Sequence, residues 1–249
     1  MITRFSVNLN KFALIRNSRG NNFPDLTSIA QIAIRSGVKS ITLHPREDAR
    51  HATLDDVIQL SCLKEMRDNH VEVNIEGDLR EELIRTVYHS SVEQFTIVPV
   101  VPGEITSNRG WRAYDEHEKL TETVRFLRSR KKKIRISVFA DATQESVSLC
   151  ANADIDAVEF YTGDYAMAKT GSEREHYLNQ LIDAAVFARS LGLQIHAGHD
   201  LNLENLPPIL EKVKPEEVSI GHSIICESLL NGFQSTIKQY LRCIEEHTS

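Results

Sequence analysis

Short apolar runs rich in β-branched residues alternate along this chain with longer segments of helical periodicity, and the alternation occurs eight times. The short runs are FSVNLN (5–10), SITLH (40–44), VEVNIE (71–76), QFTIVP (94–99), IRISVFA (134–140), AVEFYT (157–162), QIHAG (194–198) and EVSIG (217–221). Their length is that of strands rather than helices. Between them, DLTSIAQIAIRSG repeats apolar positions at intervals of three and four and closes on Gly37, a helix with its stop signal. LDDVIQLSCLKEMRDN, DLREELIRTVYH, YDEHEKLTETVRFLRSR, TQESVSLCAN, YLNQLIDAAVFARSLG, LENLPPILEKV and IICESLLNGFQSTIKQYLRCIEEH follow the same logic.

Strand–helix alternation predicts an α/β fold of parallel strands joined by right-handed crossovers. Eight units in 249 residues match a (β/α)8 TIM barrel with extra helices. An open doubly wound sheet is the other arrangement the pattern permits, and eight units favour closure. No composition shift or Pro/Gly/Ser-rich linker divides the chain, so residues 1–249 are read as a single barrel domain.

Composition then removes several classes of function. The formal net charge is -6, which argues against a nucleic-acid partner. The strongest basic run, RSRKKK (128–133), falls at a predicted helix end, where cations complement the dipole, and reads as a solvated terminus. No apolar run approaches the ~18 residues of a membrane span, and the N-terminal segment has no long apolar core of a signal peptide. Cys62, Cys150, Cys226 and Cys243 form no C-x-x-C pair and fall in predicted helices. They read as buried free thiols, which fits a cytoplasmic protein.

A barrel of this kind carries its active site at the C-terminal ends of the strands. The residues that follow the eight runs are rich in chemistry. They are Asn8, Asn10 and Lys11; His44 and Arg46; Glu76; the polar loop PVVPGEITSNRGW; Asp141; Thr162, Gly163 and Asp164; His196, Gly198, His199 and Asp200; and Gly221 and His222. The segment ITLHPREDARH (41–51) alone carries six ionisable side chains from His44 to His51. His44, Glu76 and His199 converge on one rim, and two imidazoles with a carboxylate suit general acid–base chemistry. The plainer reading of each histidine is a cap on a neighbouring carbonyl. A metal held by His196, His199 and Glu76 is a further alternative; alternation and the intervening glycine aim the two histidines apart, so no metal is expected. Arg19 in IRNSRGNNFPD and the Gly221–His222 pair point to anion binding, because a helix begins just after Gly221 and its free N–H groups face a phosphate. No phosphate-loop or dinucleotide glycine motif is present.

With these residues placed, the sequence resembles the pyridoxine 5′-phosphate synthase family of vitamin B6 biosynthesis over essentially the whole chain. The segments that carry the resemblance are VNLNKFALIRNSRG (7–20), SGVKSITLHPREDARH (36–51), VNIE (73–76), EITSNRG (104–110), EFYTGDYA (159–166), LGLQIHAGHDL (191–201) and SIGHSII (219–225). The resemblance implies condensation of 1-deoxy-D-xylulose 5-phosphate with 3-amino-2-oxopropyl phosphate, with loss of phosphate and water and no metal or organic cofactor. It implies a homo-oligomer, an octamer in the family. By matching positions, His44 and Glu76 resemble proton acceptors and His199 a proton donor. Arg46, His51 and Thr106 resemble residues that hold the deoxyxylulose phosphate. Asn8, Arg19, Gly221 and His222 resemble those around the aminoketone phosphate, and the loop 100–112 resembles a mobile lid.

The chain departs from the family pattern at the site itself. The family usually reads N-x-D-H after the first strand, where Asn8-Leu9-Asn10-Lys11 stands here, and AGHG after the seventh, where Asp200 replaces the last glycine. Val100 stands where an acidic residue is common, and Tyr161 where His is common. A carboxylate beside a phosphate is unfavourable, and Lys11 is expected to pair with Asp200 across the rim. Three readings stay open at this point: a working synthase, a divergent member acting on a related phosphorylated substrate, and a catalytically impaired phosphate-binding paralogue.

Overall fold

The computed structural model describes residues 2–99, 109–112, 116–130 and 133–248. Eight strands run parallel in chain order: β1 (Arg4–Asn8), β2 (Ser40–Leu43), β3 (Glu72–Gly77), β4 (Gln94–Ile97), β5 (Arg135–Ala140), β6 (Ala157–Tyr161), β7 (Gln194–Gly198) and β8 (Glu217–Ile220). β8 pairs with β1 in register Ser6↔Ser219, so the barrel closes. The helices of the described residues are α1 (Asn10–Arg19), α2 (Leu26–Arg35), α3 (Leu54–Ser61), α4 (Lys64–Asp68), α5 (Glu81–His89), α6 (His117–Arg130), α7 (Gln144–Ala151), α8 (Gly163–Met167), α9 (Gly171–Ser190), α10 (Leu206–Pro208), α11 (His222–Asn231) and α12 (Phe233–His247). A π-helical turn, Ile209–Val213, follows α10. None of the described helices is long and apolar enough to cross a membrane.

The period-2 alternation of each strand sorts its side chains. Phe5, Val7, Ile41, Leu43, Val73, Ile75, Phe95 and Ile97 belong to the buried apolar core, which the surrounding helices complete. The opposite parity is polar and hydrogen-bonds around the barrel. Ser6 Oγ lies 2.6 Å from Thr42 Oγ1, Asn74 Nδ2 donates to Thr42 Oγ1 at 3.4 Å, and Thr96 Oγ1 donates to Asn74 Oδ1 at 3.0 Å. One step lower, Arg135 binds Glu72 Oε2 at 2.6 Å and Gln94 Oε1 at 2.9 Å, while Arg4 contacts both Glu72 and Glu217. One step higher on the same parity come Asn8, His44 and Glu76. The strand period therefore decides which side chains reach the mouth.

Several element boundaries differ from the sequence pattern for local reasons. β1 ends at Asn8, not Asn10, because Asn8 Oδ1 accepts the Asn10 N–H at 3.0 Å and turns the chain directly into α1. The segment LDDVIQLSCLKEMRDN breaks into α3 and α4 where Leu63 is extended. The last predicted helix is two helices, divided at Gly232, whose φ of 78° is left-handed. The thiols are free, but only Cys150 is fully buried; Cys62 and Cys226 are exposed and Cys243 is half-buried, which corrects the expectation of four buried cysteines. Cys62 follows α3 as its C-cap, beyond the face that α3 buries. In the basic run, Arg128 Nη2 donates to the Asp154 carbonyl at 2.7 Å and to Asp156 Oδ1 at 3.0 Å; Lys131 and Lys132 lie outside the described residues.

Candidate active site

A cavity of about 300 Å³ opens at the C-terminal mouth of the barrel. His44, Glu76 and His199, from three different strands, line it together. So do Asn8, Asn10, Lys11, Arg46, His51, Asp200, Gly221 and His222.

The two asparagines that follow β1 organise the acid–base pair. Asn8 Nδ2 points at both Glu76 oxygens, at 3.5 and 3.4 Å, and Asn10 also hydrogen-bonds that carboxyl. Asn10 Oδ1 accepts the backbone N–H of His44 at 2.7 Å. Asn10 thus ties the residue after β2 to the carboxyl of β3. His44 Nδ1 stands 3.8 Å from Glu76 Oε2. His44, Glu76, Arg46 and His51 are all at most 9% exposed.

Burial dominates the electrostatics. It pushes the His44 imidazole down to about 3, helped by the positive charge of Arg46, so the ring is neutral at physiological pH. It pushes the Glu76 carboxyl up to about 7; Asn8 and Asn10 oppose that rise and Glu217 adds to it. His51 is driven down to about 4 by burial first and then by the charges of Lys11 and Arg46. Burial also lowers His199, against which the Asp200 carboxylate works and with which Lys11 works. Among the described residues, His44 Nε2, His51 Nδ1, Glu159 Oε2 and Ser219 Oγ are buried polar atoms of this wall without a hydrogen-bond partner. Buried polar atoms of a binding site are ordinarily satisfied by what binds there.

The turn after β7 is tightly built. His199 and Asp200 are both left-handed, with φ of 83° and 56°. Thr162 Oγ1 sits 2.6 Å from the Gly198 carbonyl and 2.5 Å from that of His199, and Asn205 Nδ2 donates to the Asp200 carbonyl at 3.1 Å. The His199 ring packs against Phe139 and Tyr161, each with centroids 5.3 Å away. Tyr161 therefore takes the aromatic place beside His199. Its phenol is raised by burial and then by Asp164, Asp200 and Asp141. After the neighbouring strand β8, α11 begins at the cavity wall with Gly221 as its N-cap, and Gly221, His222 and Ser223 all line the cavity. No side chain caps the first N–H groups of this helix, which have no partner inside the helix.

Not every candidate joins this constellation. Arg19 is exposed at the last turn of α1 and lies outside the cavity wall. Thr106 and most of the loop 100–112 lie outside the described residues. The expected Lys11–Asp200 ion pair does not form among the described residues; Lys11 instead acts on His51, where its charge is the largest charge effect after burial. His196 is buried deeper in the barrel, its Nδ1 3.4 Å from Gln94 Nε2, so it does not share a site with His199. Conversely, the wall contains Glu159, Ser219 and Phe139, which reading the strand ends alone passed over. Glu159 is 3% exposed and held well above the usual carboxylate range by burial and by the nearby Glu76 and Glu217. Its signal was a lone acidic residue between the apolar positions of AVEFYT. Gly198 makes room for it, since a Cβ there would lie 2.3 Å from Glu159 Oε1.

Comparison with known proteins shows the chain's relatives. The family described as "Pyridoxal phosphate biosynthesis protein PdxJ" matches residues 5–246. The chain is 43% identical to the pyridoxine 5′-phosphate synthase of Cytophaga hutchinsonii over 243 residues, covering 97% of this chain and 98% of the relative. It is 40% identical to the enzyme of that name from Parabacteroides distasonis, covering 98% and 99%. Among solved structures it is similar to the tryptophan synthase α-subunit of Pyrococcus furiosus, with a TM-score of 0.63, 12% identity and 100% and 99% coverage. A 3-keto-L-gulonate-6-phosphate decarboxylase from Vibrio cholerae superposes with a TM-score of 0.62 at 12% identity, covering 99% of both chains. The last two likenesses speak for the barrel fold alone.

Proposed function

The chain belongs to the PdxJ family of pyridoxal phosphate biosynthesis proteins, and from that premise we propose that it is a working pyridoxine 5′-phosphate synthase. In this reading it condenses 1-deoxy-D-xylulose 5-phosphate with 3-amino-2-oxopropyl phosphate to build the pyridine ring, releasing phosphate and water. The observation that carries it is one cavity that combines a histidine pushed down by burial, a carboxyl pushed up to about 7 and the uncapped start of α11.

The reaction joins an amine to a ketone, removes water and closes a ring. Each of these steps moves protons on and off carbon, nitrogen or oxygen. A group that titrates near neutrality serves as base in one step and returns its proton in the next. Glu76 fits that role. His44 is a neutral imidazole in contact with it, able to accept or relay a proton through Nε2. His199, on the opposite wall with Asp200 beside it, is the proton donor of this scheme. Glu159, whose carboxyl burial biases toward the protonated form, donates a hydrogen bond to developing negative charge in this scheme.

Two phosphates need two anion sites. The start of α11, with Gly221 and His222, serves the aminoketone phosphate, and Arg46, His51 and Lys11 serve the deoxyxylulose phosphate. Asn8 and Asn10 act at one remove, by orienting Glu76 and His44. Arg19 has no contact with the cavity within one chain.

The reading includes a homo-oligomer in the cytoplasm. Leu229 and Leu230 are 78% and 87% exposed, an apolar surface that another copy of the chain would cover. The cysteines are free, as a reducing compartment keeps them.

The deciding experiment is a product assay. Purified protein is mixed with both phosphorylated substrates, and pyridoxine 5′-phosphate is followed by absorbance and mass. Turnover that vanishes in Glu76→Gln and His44→Ala supports the reading. Folded protein that binds phosphate but makes no product from this pair overturns it in favour of a changed substrate or a lost activity.

A further inference from the structure

The motif IRNSRG (15–20) points, as sequence, to Arg19 as an anion ligand. The structure gives its neighbours Arg16 and Asn17 more defined contacts. Arg16 is buried in α1 and forms a two-pronged pair with Asp56 of α3, Nη1 to Oδ1 at 2.5 Å and Nη2 to Oδ2 at 2.9 Å. Its remaining Nε–H donates to Asn17 Oδ1 at 3.0 Å. That bond fixes the orientation of the Asn17 amide, because the flipped form would set an NH2 group against an N–H donor. Asn17 Nδ2 then faces three successive carbonyls of the charged loop: Ala49 and Arg50 at 3.0 Å, and His51 at 2.7 Å.

The gripped segment is the one that carries Arg46 and His51 into the cavity wall. It is not a relaxed turn. Ala49 has φ of 51°, a left-handed conformation that an alanine rarely adopts, and its N–H closes on the Arg46 carbonyl at 3.0 Å. Beyond the loop, Asp56 Oδ2 also accepts from the N–H of Thr53 at 2.7 Å and from its hydroxyl at 2.9 Å. The loop is thus held from α1 at 49–51 and from α3 at 53, and both grips meet at the Arg16–Asp56 pair.

We propose that Asn17 is a positioning residue for this reaction: anchored by Arg16 and Asp56, it holds the strained 46–51 loop so that Arg46 and His51 present one face to a phosphorylated substrate. Asn17 itself does not line the cavity, so its influence runs entirely through the loop backbone. The kinetic consequence rests on the synthase reading; the effect on the loop rests on geometry alone.

The test is Asn17→Ala beside the isosteric Asn17→Asp, in the intact enzyme. Asn17→Asp keeps the acceptor for Arg16 but turns an oxygen toward three carbonyls, so it is expected to be at least as damaging. Both are expected to raise KM for deoxyxylulose phosphate by about tenfold while kcat changes by less than about threefold, the size of one or two lost hydrogen bonds felt through binding. Amide exchange, read by mass spectrometry on the unliganded protein, is expected to accelerate in the 45–52 peptide and not in the barrel strands. Ala49→Gly in the Asn17→Ala background is expected to recover part of the KM, because glycine holds the left-handed turn without the clamp. Kinetic constants and loop exchange unchanged in Asn17→Ala, or exchange accelerated uniformly over the barrel, would overturn the proposal. If the parent protein makes no product, the synthase reading fails by itself, and the exchange of the loop peptide still decides whether Asn17 holds it.

Discussion

His44 Nδ1 stands 3.8 Å from Glu76 Oε2, within electrostatic reach and beyond a hydrogen bond, and burial drives the two groups in opposite directions. The imidazole falls to about 3 and the carboxyl rises to about 7. Near neutral pH the histidine is neutral and only the carboxyl changes state. In the proposed mechanism the acid limb of the pH dependence therefore belongs to Glu76.

The first prediction concerns that dependence. As a base, Glu76 acts when deprotonated, so kcat/KM is expected to fall as pH drops through about 7. Asn10→Asp retains an acceptor for the His44 N–H but removes a donor to Glu76 and adds a like charge. It is expected to move the acid limb upward by about one pH unit. A limb that stays in place in this variant would assign the titration to another group.

The same carboxyl carries a stability cost with a definite sign. Its pKa rises from 4.5, the ordinary value of a solvated glutamate, to about 7 in the fold, so the folded state binds more protons than the unfolded state between those values. Its contribution is favourable at pH 4 and is lost as pH climbs through 7. Glu76→Gln is expected to be more stable than the parent at pH 8, by an amount on the order of 2–3 kcal/mol, and to lose that advantage at pH 5. Denaturant titrations of both proteins at the two pH values measure the difference directly.

Much of this was legible in the sequence, and the misses have physical causes. Eight apolar runs separated by helical periods fix a closed parallel barrel, because strand and helix periods differ and crossovers have one hand. His44, Glu76 and His199 were readable because they fall at run ends. Glu159 was not, because it sits inside a run, and only the register with His196 and Phe139 shows that its parity faces the interior. Arg19 resembled an anion ligand by motif; it is the last residue of α1, exposed beyond the buried Arg16, and does not line the cavity of its own chain. The Lys11–Asp200 pair failed for a related reason. Closeness of strands does not fix the direction of a long side chain, and Lys11 turns its field on His51.

Asp200 offers a prediction particular to this chain. It holds φ of 56° without being glycine, in a turn whose preceding residue is also left-handed. Asp200→Gly is expected to raise stability by about 0.5–1 kcal/mol, a shift of roughly 1–4 °C in Tm for a chain of this size. It also removes the carboxylate that supports protonation of His199. The alkaline limb of kcat is then expected to move to lower pH. A variant that is more stable but has an unchanged profile would mean that His199 is not the proton donor.

The Arg16–Asp56 pair predicts a large loss of stability from a single substitution. Both side chains are under a tenth exposed, and Asp56 also completes the capping box of α3 with Thr53. Asp56→Ala leaves a buried guanidinium without its partner and is expected to cost about 3–5 kcal/mol. Arg16→Met combined with Asp56→Ala removes the orphaned charge and is expected to recover more than half of that loss. What persists is the cap, about 1 kcal/mol. Equal destabilisation of the single and double variants would place the effect in the cap rather than in the pair.

Gly198 ties the backbone of β7 to the chemistry of β6. A Cβ at this position would stand 2.3 Å from Glu159 Oε1 and 3.5 Å from the Ser219 carbonyl, so the carboxyl and not the backbone has to give way. Glu159 is enclosed by the barrel, and the displacement available to it leads toward the substrate. Gly198→Ala is therefore expected to cost about 1–3 kcal/mol of stability, as overpacking of a dense interior does. Its larger effect is expected on kcat, a loss of about a hundredfold, since a hydrogen-bond donor to developing charge acts only at its proper distance. Glu159→Gln in the same background separates the two effects, because the amide is as bulky as the carboxyl but carries no acidic proton. If Gly198→Ala lowers stability while kcat stays within about twofold, Glu159 is a structural group of the barrel interior and has no part in catalysis.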